Sequence, residues 1–270
     1  MQYKITPPTH IEDTILLPAS KSISNRALII HALAGGNIMP ENLSTCDDTA
    51  VIARAFKDNP YEIDIMAAGT AMRFMTAYLA VTEGEHVLTG TERMKQRPIK
   101  ILVDALRFLG ADIQYTGEEG FPPLLIKGKK LKGGSVEVAG NVSSQYVSAL
   151  LMIGPTLEKG LELKLLGNVI SRPYIDLTLN LMHEYGADAE WTDVDTITIR
   201  PKRYEERSYT IENDWTAASY WYAILTLLND RKSYIRFLGL KNGSRQGDSA
   251  AKYIFSLLGV KTTFADKEMD

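Results

Sequence analysis

Residues 97–112, RPIKILVDALRFLGAD, and residues 172–188, RPYIDLTLNLMHEYGAD, are two copies of one design. Each opens on an arginine-proline pair, continues as an apolar run and closes on Gly-Ala-Asp. Arg97 and Arg172 are 75 positions apart, and Gly110 and Gly186 are 76 apart. A looser third copy closes at Ser256-Leu257-Leu258-Gly259-Val260, with its glycine 73 positions further on. Proline suits the first turn of a helix and glycine the position just past its end, so each copy predicts a helix stopped by glycine and followed by a strand. Self-similarity at a fixed period means a chain assembled from like units.

Between these copies lies a second family of segments, each starting on small or polar residues with an apolar run behind. The starts are Ser20-Lys21-Ser22, Ala68-Gly69-Thr70, Val142-Ser143-Ser144 and Asp214-Trp215-Thr216. The runs behind them are apolar around most of a helical circumference, which predicts helices buried on nearly all sides. Strand-like stretches intervene at 85–89, 124–127, 135–138, 161–166 and 196–200, punctuated by Gly-Gly, Pro-Pro and Asn turns. The economical reading is α/β, with two helices and several strands per unit. Such a unit cannot close a core alone, so several pack together with sheets outside and apolar helices inside. Four units fit in the chain. If three close a lobe, the fourth lacks companions, and the chain is expected to be the leading part of a longer one.

Composition narrows the function. With 45% hydrophobic and 23% charged residues in 270, the chain is an ordinary globular one of one large or two medium domains, not a disordered one. Its net charge of -3 lacks the basic bias of a sequence-independent nucleic-acid binder, so any anion is held by a local cluster. The lone cysteine, Cys46, excludes an intrachain disulfide and a cysteine zinc cluster, and reads as belonging to a reducing cytoplasm. No secretory h-region opens the chain, and nowhere do eighteen apolar residues run together, so neither secretion nor a membrane span is expected. His10, His31, His86 and His183 are scattered without metal-ligand spacing, and no metal is expected.

The helix starts carry the chemistry. Ser-Lys-Ser at 20–22 offers backbone N–H groups, hydroxyls and an ammonium at the positive end of a helix dipole, and Ser22 shares a face with Arg26. Taken alone, that stretch reads better as a capped helix with two solvated cations. Gly69 allows close approach of a ligand to the backbone, or equally of another helix. Ser143, Ser144 and Gln145 crowd one helix start where a cap needs a single hydroxyl. Arg97 and Arg172 place guanidiniums where they oppose the dipole, which a bound anion explains better than stability does. Together these features predict a small polyanionic ligand, bearing phosphate or carboxylate, held between units.

Leu-Pro-Ala-Ser-Lys-Ser-Ile-Ser-Asn-Arg-Ala at 17–27, Ala-Gly-Thr-Ala-Met-Arg at 68–73, Arg-Met-Lys-Gln-Arg-Pro-Ile at 93–99, Val-Ser-Ser-Gln-Tyr at 142–146, Ser-Arg-Pro-Tyr-Ile-Asp at 171–176 and Gln-Gly-Asp at 246–248 resemble the enolpyruvylshikimate-phosphate synthase family, in the family's order. The resemblance implies repeated βαβαββ units packed as an inside-out barrel, six in two lobes for a full chain. Here it implies a three-unit lobe over 19–212, with 1–18 and 213–270 forming an incomplete second lobe. The implied reaction moves the enolpyruvyl group of phosphoenolpyruvate to shikimate 3-phosphate and releases phosphate, with no metal or organic cofactor and a monomeric full-length protein. By resemblance Lys21, Ser22 and Arg26 hold shikimate phosphate, and Lys21, the catalytic candidate, also reaches phosphoenolpyruvate. Ser143 and Ser144 bind the shikimate phosphate group, Gln145 lies between the substrates, Ser171 is a further phosphate contact and Tyr174 packs near the ring. Gly69 and Arg97 contact phosphoenolpyruvate. Ala67 replaces a common asparagine and Phe74 a common proline, which reshapes the phosphoenolpyruvate pocket. The family's acidic proton-transfer residues lie beyond position 270, so the chain by itself is expected to bind without turnover. The alternatives are a nucleotide-sugar enolpyruvyl transferase, expected to carry Lys-Asn in place of Lys21-Ser22, and a catalytically silent anion-binding module.

Overall fold

A computed structural model describes residues 6–265. Residues 1–5 of the expected amino-terminal strand segment and 266–270 of the polar tail lie outside the described residues. In chain order the first half holds β1 (Glu12–Leu16), α1 (Lys21–Ala34), α2 (Asp47–Asp58), β2 (Glu62–Asp64), α3 (Gly69–Val81), β3 (Gly84–Thr89), α4 (Glu92–Lys95), α5 (Lys100–Phe108), β4 (Asp112–Tyr115) and β5 (Leu124–Gly128). The second holds β6 (Gly134–Ala139), α6 (Ser144–Ile153), β7 (Leu161–Leu166), α7 (Arg172–Glu184), β8 (Ala189–Trp191), β9 (Thr196–Ile199), α8 (Trp215–Leu228), β10 (Tyr234–Leu238) and α9 (Ala251–Ser256). The fold is mixed α/β. The chain divides into two compact units, one from Lys21 to Ile211 and one made of the chain before and after it.

The Lys21–Ile211 unit contains two four-stranded sheets of identical topology, β2-β3-β5-β4 and β6-β7-β9-β8. In each the first pair is parallel and the other two are antiparallel, so the chain traces strand, helix, strand, helix and hairpin twice. Both sheets are open and separate. In β7 the period-two pattern buries Leu161, Leu163 and Leu165 and exposes Glu162 and Lys164. Leu163 lies beside Val136 on one side and Ile197 on the other, giving the sheet one continuous apolar face. Every residue of α3 except Tyr78 and Val81 is buried, because the helix packs against α1, α6, β3 and β5.

The quoted repeat is a helix-stop motif. Ala111 N–H donates to the Leu106 carbonyl at 2.9 Å and Ala187 N–H to that of Met182 at 3.0 Å, each across a glycine of positive φ, 103° at Gly110 and 81° at Gly186. A residue with a Cβ resists that conformation, which is why glycine recurs there. The third copy closes the same way, Val260 N–H to the Phe255 carbonyl at 3.1 Å, but the strand expected over 260–264 does not form. Among the described residues its unit holds only the parallel pair β1-β10, with no hairpin for it to join.

Two further expectations are corrected. The α8 segment, apolar all round, buries only Trp215, Ala218 and Tyr222, and Leu227 is 85% exposed, because β10, α9 and the 3₁₀ turn Gly247–Ala250 reach one stripe of it. The first repeat has its helices α1 and α2 but no sheet among the described residues. Glu41 and Thr210 form a single bridge, in a stretch where Gly35, Gly36, Pro40 and a left-handed Asn42 interrupt any alternation. Among the described residues no helix is long and apolar enough to cross a membrane.

Candidate functional site

The amino-terminal turns of α1, α3, α6 and α7, all in the Lys21–Ile211 unit, are joined by polar contacts between buried and half-buried side chains. Arg26, one turn into α1, is 3% exposed. Its Nε donates to Thr178 Oγ1 at 2.7 Å, Nη1 to the Ser22 carbonyl at 2.9 Å and Nη2 to Ser148 Oγ at 2.9 Å, tying α1 to α7 and α6. Its Cζ lies 5.3 Å from the Phe74 ring centroid and 6.0 Å from that of Tyr174. No carboxylate pairs with it among the described residues. Burial, partly countered by the nearby Tyr174 phenol, lowers its pKa to about 10. Phe74, which the sequence reading assigns to the phosphoenolpyruvate pocket, therefore also forms one wall against Arg26.

A second cluster surrounds the start of α3. A Cβ built on Gly69 would lie 2.3 Å from Arg97 Nη1 and 2.6 Å from Cζ and Nη2, so the Arg97 guanidinium rests directly on the glycine. Arg97 is half-buried, and its guanidinium forms no hydrogen bond or ion pair among the described residues. Burial lowers its pKa, the Arg73 charge lowers it further, and Asp48 partly offsets both. Arg73 is itself buried, with Nη1 donating to the Gly69 carbonyl at 3.1 Å and Nη2 to the Pro98 carbonyl at 2.8 Å. Tyr146 hydroxyl reaches the same Pro98 carbonyl at 2.6 Å, and its ring lies 5.6 Å from Arg73 Cζ. Gln145 Nε2 donates to Thr70 Oγ1 at 3.1 Å, linking α6 to α3.

Of the sequence-predicted residues, Gly69 and Arg97 thus touch, Gln145 joins them through Thr70, and Ser22, Arg26 and Tyr174 form a second group. Ser143 is the cap of α6, its hydroxyl accepting the Gln145 N–H at 3.3 Å. The hydroxyls of Ser144 and Ser171 and the exposed Lys21 ammonium contact none of the others among the described residues. Ser171 has φ 58° immediately before α7 and does not cap it. A left-handed non-glycine backbone is costly, and such strain collects at ligand sites.

Arg172 corrects an expectation. Its guanidinium lies 3.9 Å from the Trp191 ring centroid and donates to the Val194 carbonyl at 3.2 Å, so packing of α7 on β8 explains it without an anion. Within the 17–27 motif, Ser24 and Asn25 are fold residues: Ser24 Oγ accepts the Ser44 N–H at 3.0 Å and Asn25 Oδ1 the Thr49 hydroxyl at 2.7 Å. Gln246 of the Gln-Gly-Asp motif likewise bonds backbone, at Trp215 and Asn213.

Sequence reasoning missed Ser148, Thr178, Thr70 and Arg73. The missing signal was spacing: Ser148, Thr178 and Arg73 lie four residues past Ser144, Tyr174 and Gly69, as Arg26 lies past Ser22. Polar residues one turn inside otherwise apolar helices point back at the helix start. Among the described residues no group of three or more His, Cys, Asp or Glu side chains gathers as metal ligands.

The family model for EPSP synthase (3-phosphoshikimate 1-carboxyvinyltransferase) matches residues 5–58 and 55–269. A 3-phosphoshikimate 1-carboxyvinyltransferase of Bacteroides fragilis is 55% identical over 266 residues, 98% of this chain and 64% of the relative. One from Actinobacillus pleuropneumoniae is 36% identical over 293 residues, 97% of this chain and 67% of the relative. The chain therefore spans just under two thirds of the length of the Bacteroides relative. The solved EPSP synthase from Acinetobacter baumannii matches with a TM-score of 0.69 at 22% identity, over 82% of this chain and 54% of that one, a likeness of fold.

Proposed function

The chain belongs to the EPSP synthase (3-phosphoshikimate 1-carboxyvinyltransferase) family, and from that premise we propose that its Lys21–Ile211 unit carries the shikimate 3-phosphate side of an enolpyruvyl transferase site. The reaction adds a ring hydroxyl of shikimate 3-phosphate to C2 of phosphoenolpyruvate as the methylene carbon is protonated and the hydroxyl proton is lost, then expels phosphate together with a proton from the new methyl group to leave an enol ether. In this reading Ser143, Ser144 and Ser171 meet the shikimate phosphate, Tyr174 flanks the ring, and Ser22 and Arg26 complete that pocket. Gly69 and Arg97 meet phosphoenolpyruvate, Gln145 lies between, and Lys21 reaches both substrates at the mouth. The cations offset the cost of gathering two multiply charged substrates and stabilise the departing phosphate.

The observation that carries the proposal is Arg26, a buried guanidinium held by neutral acceptors with no carboxylate paired to it among the described residues. An unpaired buried charge is costly, and a ligand anion gives it a purpose. The finer architecture belongs to the same proposal: an inside-out three-unit lobe over 19–212, with 1–18 and 213–270 in a second lobe. So do a monomeric full-length protein and a cytoplasmic location, the latter resting on the lone Cys46. Calorimetric titration of the 270-residue chain, with a phosphate-release assay alongside, tests the function. The expected result is saturable binding of shikimate 3-phosphate and no phosphate release with phosphoenolpyruvate. Binding of a nucleotide sugar in preference to shikimate 3-phosphate would establish the nucleotide-sugar transferase instead.

A further inference from the structure

The hydrogen positions around Arg26 follow from the contacts. Guanidinium has five N–H donors. Thr178 Oγ1, the Ser22 carbonyl and Ser148 Oγ take one each from Nε, Nη1 and Nη2. One N–H on each terminal nitrogen therefore has no partner among the described residues. Thr178 Oγ1 is 2.8 Å from the Tyr174 carbonyl, which can only accept, so the single threonine hydrogen points there. The 2.9 Å contact between Ser148 Oγ and Thr178 Oγ1 then has serine as donor. Both hydroxyls turn lone pairs toward the guanidinium, and both residues are 0% exposed. A carboxylate in either place would orient Arg26 and cancel its charge. Hydroxyls orient it and leave the charge intact.

We propose that Ser148 and Thr178 are positioning residues that clamp the Arg26 guanidinium with its charge uncancelled and its two remaining terminal N–H groups available to an oxyanion of the ligand. Its ligand half rests on the reading that Arg26 binds shikimate 3-phosphate; the clamp itself does not.

Two measurements on the 270-residue chain separate the parts. The first is hydrogen exchange of the Arg26 Nε–H by nitrogen-15 NMR without ligand, the signal assigned by its loss in Arg26→Lys. Slow exchange is expected in the unaltered chain, at least about tenfold faster exchange in Thr178→Val, and retained protection in Thr178→Ser. The second is calorimetric affinity for shikimate 3-phosphate. Thr178→Val is expected to weaken it by about tenfold or more, and Thr178→Ser to stay within about twofold of the unaltered chain. In an Arg26→Gln background Thr178→Val should change affinity no further, which a merely structural role would not produce. If Thr178→Val is unfolded by circular dichroism, Ser148→Ala, which removes the acceptor of Nη2 and the hydrogen bond that Ser148 donates to Thr178, is judged by the same affinity criteria and by exchange of the Arg26 Nη hydrogens, expected to be at least about tenfold faster than in the unaltered chain. Unaltered exchange in the folded variant overturns the clamp, and an additive loss in the Arg26→Gln background overturns action through Arg26. Failure of the unaltered chain to bind shikimate 3-phosphate overturns the ligand reading, and the exchange measurement still decides the clamp.

Discussion

Replacing Gly69 with alanine tests how the start of α3 and Arg97 share one space. The added methyl would lie 2.3 Å from Arg97 Nη1, where the shortest ordinary contact is 3.4 Å, so the guanidinium must retreat by about 1 Å. Retreat is easy for the long, half-buried arginine side chain, and Gly69 does not have positive φ, so alanine keeps the helix and improves its propensity by at most about 1 kcal/mol. Stability should hold. For the ligand, moving a unit charge from about 4 to 5 Å at an effective dielectric constant of about 20 loses about 0.8 kcal/mol, or roughly fourfold in affinity. Outright loss of a hydrogen bond to a charged group costs about 1.5–3 kcal/mol, or roughly 10- to 150-fold. The expected outcome for Gly69→Ala is therefore an unchanged melting temperature, phosphoenolpyruvate binding weakened at least fourfold in the presence of saturating shikimate 3-phosphate, and shikimate 3-phosphate binding unchanged. Calorimetric titration with each ligand reads both. Equal weakening of the two would refute the reasoning, because it would mean that α3 itself has been displaced by overpacking.

Ser143 and Ser144 should separate stability from binding: Ser143→Ala removes the cap that accepts the Gln145 N–H and should cost about 1 kcal/mol of unfolding free energy by denaturant titration. Ser144→Ala should leave stability unchanged and weaken shikimate 3-phosphate binding by about 1.5–3 kcal/mol in calorimetry; a loss of stability without loss of affinity would make Ser144 a fold residue. Asp230, in the smaller unit, has its carboxyl pulled down to about 2 by the hydrogen bond with His10 and by those from Lys232 N–H and the Ser233 hydroxyl. A depressed carboxyl pKa stabilises above its unfolded value and loses that contribution as pH falls through the folded one, so the melting-temperature gap between the unaltered chain and Asp230→Asn should be full above about pH 4 and close toward about pH 2. A gap independent of pH would show that the carboxylate charge plays no part.

Much of the repeat was legible because its signals are local. Pro173, Gly110 and Gly186 punctuate helices through backbone geometry that no distant contact alters, whereas Pro98 lies two residues before α5 rather than in its first turn, and β7 falls on the predicted 161–166 because Leu161, Leu163 and Leu165 alternate with exposed residues. Burial was less legible. The α8 run reads like those of α3 and α6, yet burial depends on what covers a helix, and only one stripe of α8 is covered. Arg172 misled for a related reason: a guanidinium before proline looks spare until Trp191, nineteen positions away, supplies a face for it. The site residues named from helix starts were legible as types. The buried hydroxyls of Ser148 and Thr178 were not, because in an apolar run a serine or threonine reads as tolerated filler until two helices bring such residues to the same guanidinium.

The charge arrangement at the site has its own logic. The chain carries 33 acidic residues against 30 basic ones, so carboxylates were plentiful. None pairs with Arg26, Arg73 or Arg97 among the described residues. Arg26 and Arg73, both buried, rest on hydroxyls, peptide carbonyls and aromatic faces, partners that lower the cost of a buried cation without cancelling its field. Folding stability alone would favour ion pairs or apolar replacements at these positions. Holding cations without paired carboxylates against the starts of four helices instead gathers positive charge there in a protein that is acidic overall. In the proposed function, that arrangement is what a multiply charged anion would need as a prepared place to bind, with little reorganisation left to be done on its arrival.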